Sequence, residues 1–250
     1  MVRNLKITLA YDGSDFHGWQ VQPERPTIQG ALATAIAHVS GTKLLPQGSG
    51  RTDAGVHALA QVASCQLDAG IPTESLQRAL NHVLPSAIRV LSVEEAAPEF
   101  HARKSARAKR YRYRIYRGEI CPPFLARYVY HYPYPLDEAA MQAAASVVVG
   151  EHDFTSFAAV DPERGLEEDA ISNVRTIYSS QWVRDGEEFA YTVRGSGFLH
   201  HMVRNLVGTF LLVGKGADAA RVRDILEARD RSAAGPTAPA CGLYLVNVEY

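Results

Sequence analysis

A chain of 250 residues with 46% hydrophobic and 21% charged side chains has the composition of an ordinary soluble protein, long enough for one large domain or two small ones. No apolar run nears the length of a membrane span, no signal-peptide pattern opens the chain, and Cys65, Cys121 and Cys241 stand far apart without metal-ligand spacing. A reducing cytoplasm is therefore the expected home. The net charge of −1 speaks against a nucleic-acid partner only as an average, because the charge is unevenly spread.

Leu5, Ile7, Leu9 and Tyr11 alternate with Lys6, Thr8 and Ala10, the pattern of a strand with one buried face. It closes in the turn signal Tyr11-Asp12-Gly13-Ser14, followed by Phe16-His17-Gly18-Trp19-Gln20. Trp19 could stack on a base, although core packing is the commoner fate of a tryptophan beside a first strand. Thr27 is placed to cap a helix carrying Ile28, Leu32, Ile36 and Val39 on one face, and Gly41 to stop it.

Next comes Ser49-Gly50-Arg51-Thr52-Asp53-Ala54-Gly55-Val56-His57-Ala58. Two glycines flanking a polar run let the backbone bend sharply and approach a ligand closely. Asp53, ionised at neutral pH, is thereby presented as a nucleophile, a base or a ligand. Arg51, two residues earlier, points to the same side of an extended chain. Chemistry alone also fits a surface turn with an exposed ion pair.

Residues 61–65 read as a strand leaving this loop. Thr73 is placed to cap a second helix, with Leu76, Leu80, Val83 and Leu84 as its buried stripe and Pro85 as terminator. Asn81 and His82 near its end read as capping or solvent-facing residues. A strand over 88–93 completes a strand–helix–loop–helix–strand unit.

From His101 to Arg117 the chain carries Arg103, Lys104, Arg107, Lys109, Arg110, Arg112, Arg114 and Arg117 and no acidic residue, leaving 18 basic against 27 acidic residues elsewhere. A patch this one-sided suits phosphate binding better than a merely solvated strand face. In the strand over 109–116, Tyr111, Tyr113 and Ile115 share one face and Arg110, Arg112 and Arg114 the other. Tyrosines can stack on bases and arginines can hold phosphates; core packing is the expected fate of at least one tyrosine.

Asp137 is placed to cap a helix through Val149, stopped by Gly150. A charged, mobile loop is expected over 161–169, then a strand pair over 174–180 and 189–194 around Arg184-Asp185-Gly186. A helix from Phe198 to Val213 carries Met202, Leu206, Phe210 and Val213 on one face, with Arg204 off it. A short helix bearing Val222, Ile225 and Leu226 and a strand over 243–248 close the chain. The expected class is α+β with a mostly antiparallel or mixed sheet.

Rival chemistries lack their motifs. Gly48-Ser49-Gly50 is not followed by Gly-Lys-Ser/Thr, and Val213-Gly214-Lys215-Gly216 has no Ser or Thr after it. Adjacent His200 and His201 cannot share a helix face, and there is neither His-Glu-x-x-His nor Gly-x-Ser-x-Gly. A nucleic-acid-binding module without catalysis and a carboxylate-dependent glycosidic hydrolase stay open, though the latter needs a second carboxylate that the Asp53 loop does not supply.

The segment Gly50-Arg51-Thr52-Asp53-Ala54-Gly55-Val56-His57-Ala58 resembles the signature of the TruA family of tRNA pseudouridine synthases. Further segments in family order are Tyr11-Asp12-Gly13 with Phe16-His17-Gly18-Trp19-Gln20, Phe100-His101-Ala102-Arg103 with Lys109-Arg110-Tyr111-Arg112-Tyr113, Phe198-Leu199-His200-His201-Met202-Val203-Arg204-Asn205, and Gly242-Leu243-Tyr244-Leu245-Val246. Lys104 stands where the family commonly has an aromatic. The resemblance implies a pseudouridine synthase fold: two α/β halves, 1–104 and 105–250, with joined, mostly antiparallel sheets and a central positive cleft. It implies a cofactor-free isomerase acting on uridines 38, 39 and 40 of the tRNA anticodon stem-loop, working as a homodimer with no metal. Asp53 falls on the nucleophile, Tyr111 on the active-site tyrosine and Arg204 on an arginine serving the catalytic aspartate. Arg51, Phe100, His101, Ala102, Arg103, Lys104, Lys109 and Arg110 fall on RNA-contacting positions.

Overall fold

The alternation that opens the chain becomes strand β1, Arg3–Tyr11, whose Leu5, Ile7 and Leu9 are completely buried; each such side chain contributes about 1.5–3 kcal/mol through removal from water. The computed structural model describes residues 2–160 and 172–250, so the loop expected over 161–169 lies outside the described residues. The described chain divides into two units. One runs to Lys109 and takes back Tyr244–Tyr250; the other is Arg110–Leu243.

In the first unit, helix α1, Ile28–Ser40, begins at Thr27, whose side chain accepts from the Gly30 amide, and ends at Gly41 in a left-handed conformation with φ 73°, as the local signals require. Strands β2, Gln47–Gly48, and β3, His57–Leu67, bracket the Asp53 turn. Helix α2, Thr73–Val83, starts one residue earlier than a Thr73 cap would allow: Pro72 holds the cap position and makes no side-chain bond. Leu76 and Leu80 are fully buried, but Val83 is 36% exposed, so the buried stripe passes to Leu84 as the helix ends. Asn81 instead clasps Val90, donating to its carbonyl and accepting from its amide, each at 2.8 Å. That clasp ties α2 to strand β4, Ile88–Ala96. β1 lies between β4 and β3, antiparallel to both.

Strand β5, Ala108–Tyr116, has its first two residues in the first unit and the rest in the second, where it pairs with the two-residue β6, Tyr130–His131. Helix α3, Glu138–Val147, is capped by Asp137, which accepts from the Ala140 amide, and stops two residues short of the expected end. Strands β7, Gly150–Asp153, β8, Val174–Asp185, and β9, Glu188–Gly195, form an antiparallel run. The β8–β9 ladder reaches Asp185 and Glu188, so the hairpin turns on Gly186-Glu187 alone, with Gly186 at φ 54°. Its inner face stacks Trp182 on Phe189 (4.6 Å between centroids) and sets Tyr191 against Phe210 (5.3 Å).

Helix α4, Met202–Gly214, starts four residues later than its apolar periodicity suggests, because His201 adopts φ 59° and breaks the run. Helix α5, Arg221–Ala228, follows. The last strand, β10, Leu243–Glu249, pairs in parallel with β3 through Tyr244↔His57 and Leu245↔Ala58. This long-range pairing carries the C-terminal residues back into the first unit. The class is α+β with mostly antiparallel strands, as expected, and among the described residues no helix is long and apolar enough to cross a membrane.

Candidate active site

Asp53 sits in a turn whose backbone is tied down on both sides. Upstream, Ser49 is fully buried; its amide donates to the Val62 carbonyl at 2.7 Å and its hydroxyl to Gln61 Oε1 at 2.6 Å. Gln61, also fully buried, donates from Nε2 to the Gly50 carbonyl at 2.9 Å, and Lys109 Nζ donates to the Ser49 carbonyl at 2.6 Å. Thr52 is buried between β1 and the turn. Its hydroxyl shares a 2.8 Å hydrogen bond with Tyr11, and its carbonyl accepts from the Trp19 amide at 3.0 Å. Burial pushes the Tyr11 phenol up to about 12, partly opposed by its bonds to Thr52 and Gln61, so it stays a neutral hydroxyl at physiological pH.

Downstream, the Val56 amide closes on the Asp53 carbonyl at 3.1 Å, and the Gly55 amide reaches the Phe16 carbonyl at 3.3 Å. His57, 2% exposed, accepts from the Gly13 amide at 3.1 Å and stacks on Tyr244, 4.8 Å between centroids. Within this frame the side chains sort by depth: Thr52 and Val56 are buried, Arg51 and Ala54 exposed, Asp53 half-buried. Asp53 thus offers a half-buried carboxylate on a fixed backbone, and such fixing matters for any reacting group because misplacement by about 1 Å can cost about 10²-fold in rate.

The 100–104 segment is anchored in the same unit. The Phe100 ring lies 4.9 Å from that of Tyr250, and its carbonyl accepts from Asn4 Nδ2 at 2.9 Å. Ala102 departs from the expectation that it touches RNA. Its side chain is fully buried, its amide donates to Ser64 Oγ at 3.0 Å, and its carbonyl accepts from the Tyr250 hydroxyl at 2.8 Å. Ala102 holds the segment down, which leaves Arg103 and Lys104 exposed and His101 half-buried.

In the second unit β5 splits as its alternation predicts. Tyr111 and Tyr113 are both buried, while Arg110 and Arg112 are exposed. The Tyr111 ring meets Phe198 edge-on at 5.0 Å. Tyr113 donates to the Pro239 carbonyl at 2.8 Å, and burial drives its phenol far above the ordinary range. Arg114 pairs with Glu188, its Nε donating at 2.8 Å, and this bond holds the Glu188 carboxyl below its usual range; its charge therefore serves the fold. Arg204, in the first turn of α4, donates from Nε to the Ala238 carbonyl at 2.7 Å.

Tyr11, Ser49, Thr52 and Gln61 form the support of the Asp53 turn, and sequence reasoning gave none of them a part in holding it. The one available signal was Gln61 itself, an amide at the head of the apolar run Val62-Ala63.

A family model described as tRNA pseudouridine synthase matches residues 7–103 and 144–250. The matched stretches take in the Asp53 turn and Arg204, while Lys104, Lys109, Arg110 and Tyr111 fall between them. Among similar proteins, tRNA pseudouridine synthase A of Solibacter usitatus is 52% identical over 249 residues, spanning 100% of both chains. That of Moorella thermoacetica is 47% identical over 250 residues, covering 98% of this chain and 99% of its own. The Brevibacillus brevis protein of the same name is 45% identical over 250 residues and 100% of both. On a model match over most of its length and relatives alike from end to end, this chain belongs to the tRNA pseudouridine synthase family.

Proposed function

We propose that this protein isomerises uridine to pseudouridine in tRNA, at positions 38, 39 and 40 of the anticodon stem-loop, in the cytoplasm and as a homodimer. The observation that carries this reading is Asp53, half-buried at the centre of a hydrogen-bonded turn whose sequence is the family signature. A uridine inside a stem hides its glycosidic bond, so the nucleotide leaves the stack at a cost of about a few kcal/mol. Phosphate contacts offset that cost without reading sequence. We assign them to exposed Arg103, Lys104 and Arg110, with Phe100 and His101 beside them and Arg51 near the vacated stack.

Asp53 attacks the nucleotide at the sugar C1′ or the base C6, and the N1–C1′ bond breaks. The uracil turns and C5 bonds to C1′. The bond that Asp53 made breaks, its oxygen leaving C1′ or C6 with the electron pair and restoring the carboxylate. C5 gives up its proton and N1 gains one, so the product is an isomer and no cofactor is consumed. Tyr111 stacks on the uracil, and Arg204 is assigned to serve the reacting carboxylate. For the homodimer, Ile120 and Phe124, 81% and 88% exposed, offer apolar surface of the kind a second copy covers.

Unmodified tRNA carrying tritium at C5 of its uridines tests the proposal: the enzyme releases tritium to water, whereas a binding module releases none and a glycosidic hydrolase liberates free uracil. In the same assay Tyr111→Phe keeps the ring and its edge contact with Phe198 but removes the hydroxyl. It is expected to slow turnover by on the order of 10²-fold if that hydroxyl moves a proton; equal rates for the two proteins would confine Tyr111 to packing.

A further inference from the structure

Lys109 stands apart from the other cations of its segment. Arg107 and Arg110 on either side of it are exposed, whereas Lys109 is half-buried and its Nζ donates to the Ser49 carbonyl at 2.6 Å. That carbonyl opens the turn four residues before Asp53. The following carbonyl, of Gly50, is held at 2.9 Å by Gln61 Nε2. Two successive peptide groups are thus fixed by side chains from β5 and β3, and the chain leaves them toward Asp53 in one direction. Gly50 fits the same arrangement: a Cβ there would stand 2.9 Å from Lys109 Nζ and 3.8 Å from its Cε, so the ammonium would have to shift to admit it.

We propose that Lys109 is a positioning residue for the Asp53 turn, acting on turnover through the peptide it holds and not through a phosphate of the RNA. This rests on the reading of Asp53 as the reacting group. A phosphate contact and a positioning contact leave different traces. Loss of a phosphate contact weakens binding and lowers the salt dependence of affinity by about one ion. Loss of a positioning contact leaves binding alone and slows the bound complex.

The test is single-turnover tritium release at saturating tRNA, with tRNA affinity measured at several salt concentrations, for wild type, Lys109→Met, Lys109→Arg and Gly50→Ala. Lys109→Met should react at least tenfold more slowly than wild type, with Kd within twofold and an unchanged salt slope. Lys109→Arg, which retains charge and donors, should recover most of the rate. Gly50→Ala, which alters no charge, should reproduce the slow step at unchanged Kd. A Lys109→Met protein that reacts at the wild-type rate once saturated, but binds more weakly and with a shallower salt slope, overturns the proposal. Should Lys109→Met fail to fold, Gly50→Ala decides, and a wild-type rate there is equally fatal. Wild type that releases no tritium fails the function itself, a result distinct from either.

Discussion

Asp53→Asn is expected to abolish pseudouridine formation while tRNA affinity stays within a few-fold of wild type. The substitution is nearly isosteric, and the Asp53 backbone is held independently of its carboxyl, by the Val56 amide on its own carbonyl and by the bonds to Thr52 next to it. The turn should therefore keep its shape. Charge and nucleophilicity are what disappear: an amide neither attacks C1′ or C6 as a carboxylate does nor stabilises positive charge developing on the sugar. A loss of on the order of 10⁴-fold or more corresponds to roughly 5 kcal/mol of transition-state stabilisation. Affinity should change little because the phosphates are assigned to Arg103, Lys104 and Arg110, and removing a negative charge beside RNA does not weaken phosphate binding. Tritium release and filter binding on the same preparation check both halves. Turnover within tenfold of wild type would remove Asp53 from the chemistry, and a large loss of affinity would make it a binding residue.

The parts of this molecule that could be read in advance are those decided by near neighbours. Thr27 and Gly41 bound α1 because capping and left-handed backbone are properties of a few consecutive residues. β5 divides into a tyrosine face and an arginine face because side chains alternate along any strand. The turn carrying Asp53 was visible as a polar run between glycines, and the family signature identified it. What could not be read depends on partners distant in the chain. Nothing near Ala102 announces that Ser64 and Tyr250 close over it. Tyr244 gives no local sign that it pairs with His57. Gln61 looked like one polar residue in a strand; only the fold brings Ser49 and Gly50 to its amide. Lys109 read as one cation among eight until its ammonium was seen on a carbonyl of the turn. Local rules placed the Asp53 turn, and tertiary packing chose the residues that hold it still.

That division makes Gly18→Ala the more demanding test, because Gly18 belongs to the loop after β1 and touches no predicted reacting group. Its φ is +85°, and a Cβ there would lie 2.5 Å from the Thr52 carbonyl oxygen, 3.1 Å from the Asp53 carbonyl carbon and 3.2 Å from the Ala54 nitrogen. All three are backbone atoms of the Asp53 turn, so no flexible side chain can swing away and the turn itself must move. The left-handed conformation costs an alanine roughly 1–2 kcal/mol, and overpacking adds about 1–3 kcal/mol. A stability loss of about 2–5 kcal/mol is expected, together with a turnover deficit of tenfold or more in the protein that remains folded. Gly41→Ala separates the two costs. Gly41 has φ +73°, but nothing lies within 4 Å of its would-be Cβ, so only the conformational penalty of about 1–2 kcal/mol applies and turnover should match wild type. Denaturant unfolding and single-turnover release on both variants supply the comparison. If Gly18→Ala loses stability but reacts at the wild-type rate, the turn tolerates displacement and the chemistry does not depend on its exact position; if both glycine variants lose turnover equally, the deficit follows stability and not the placement of Asp53.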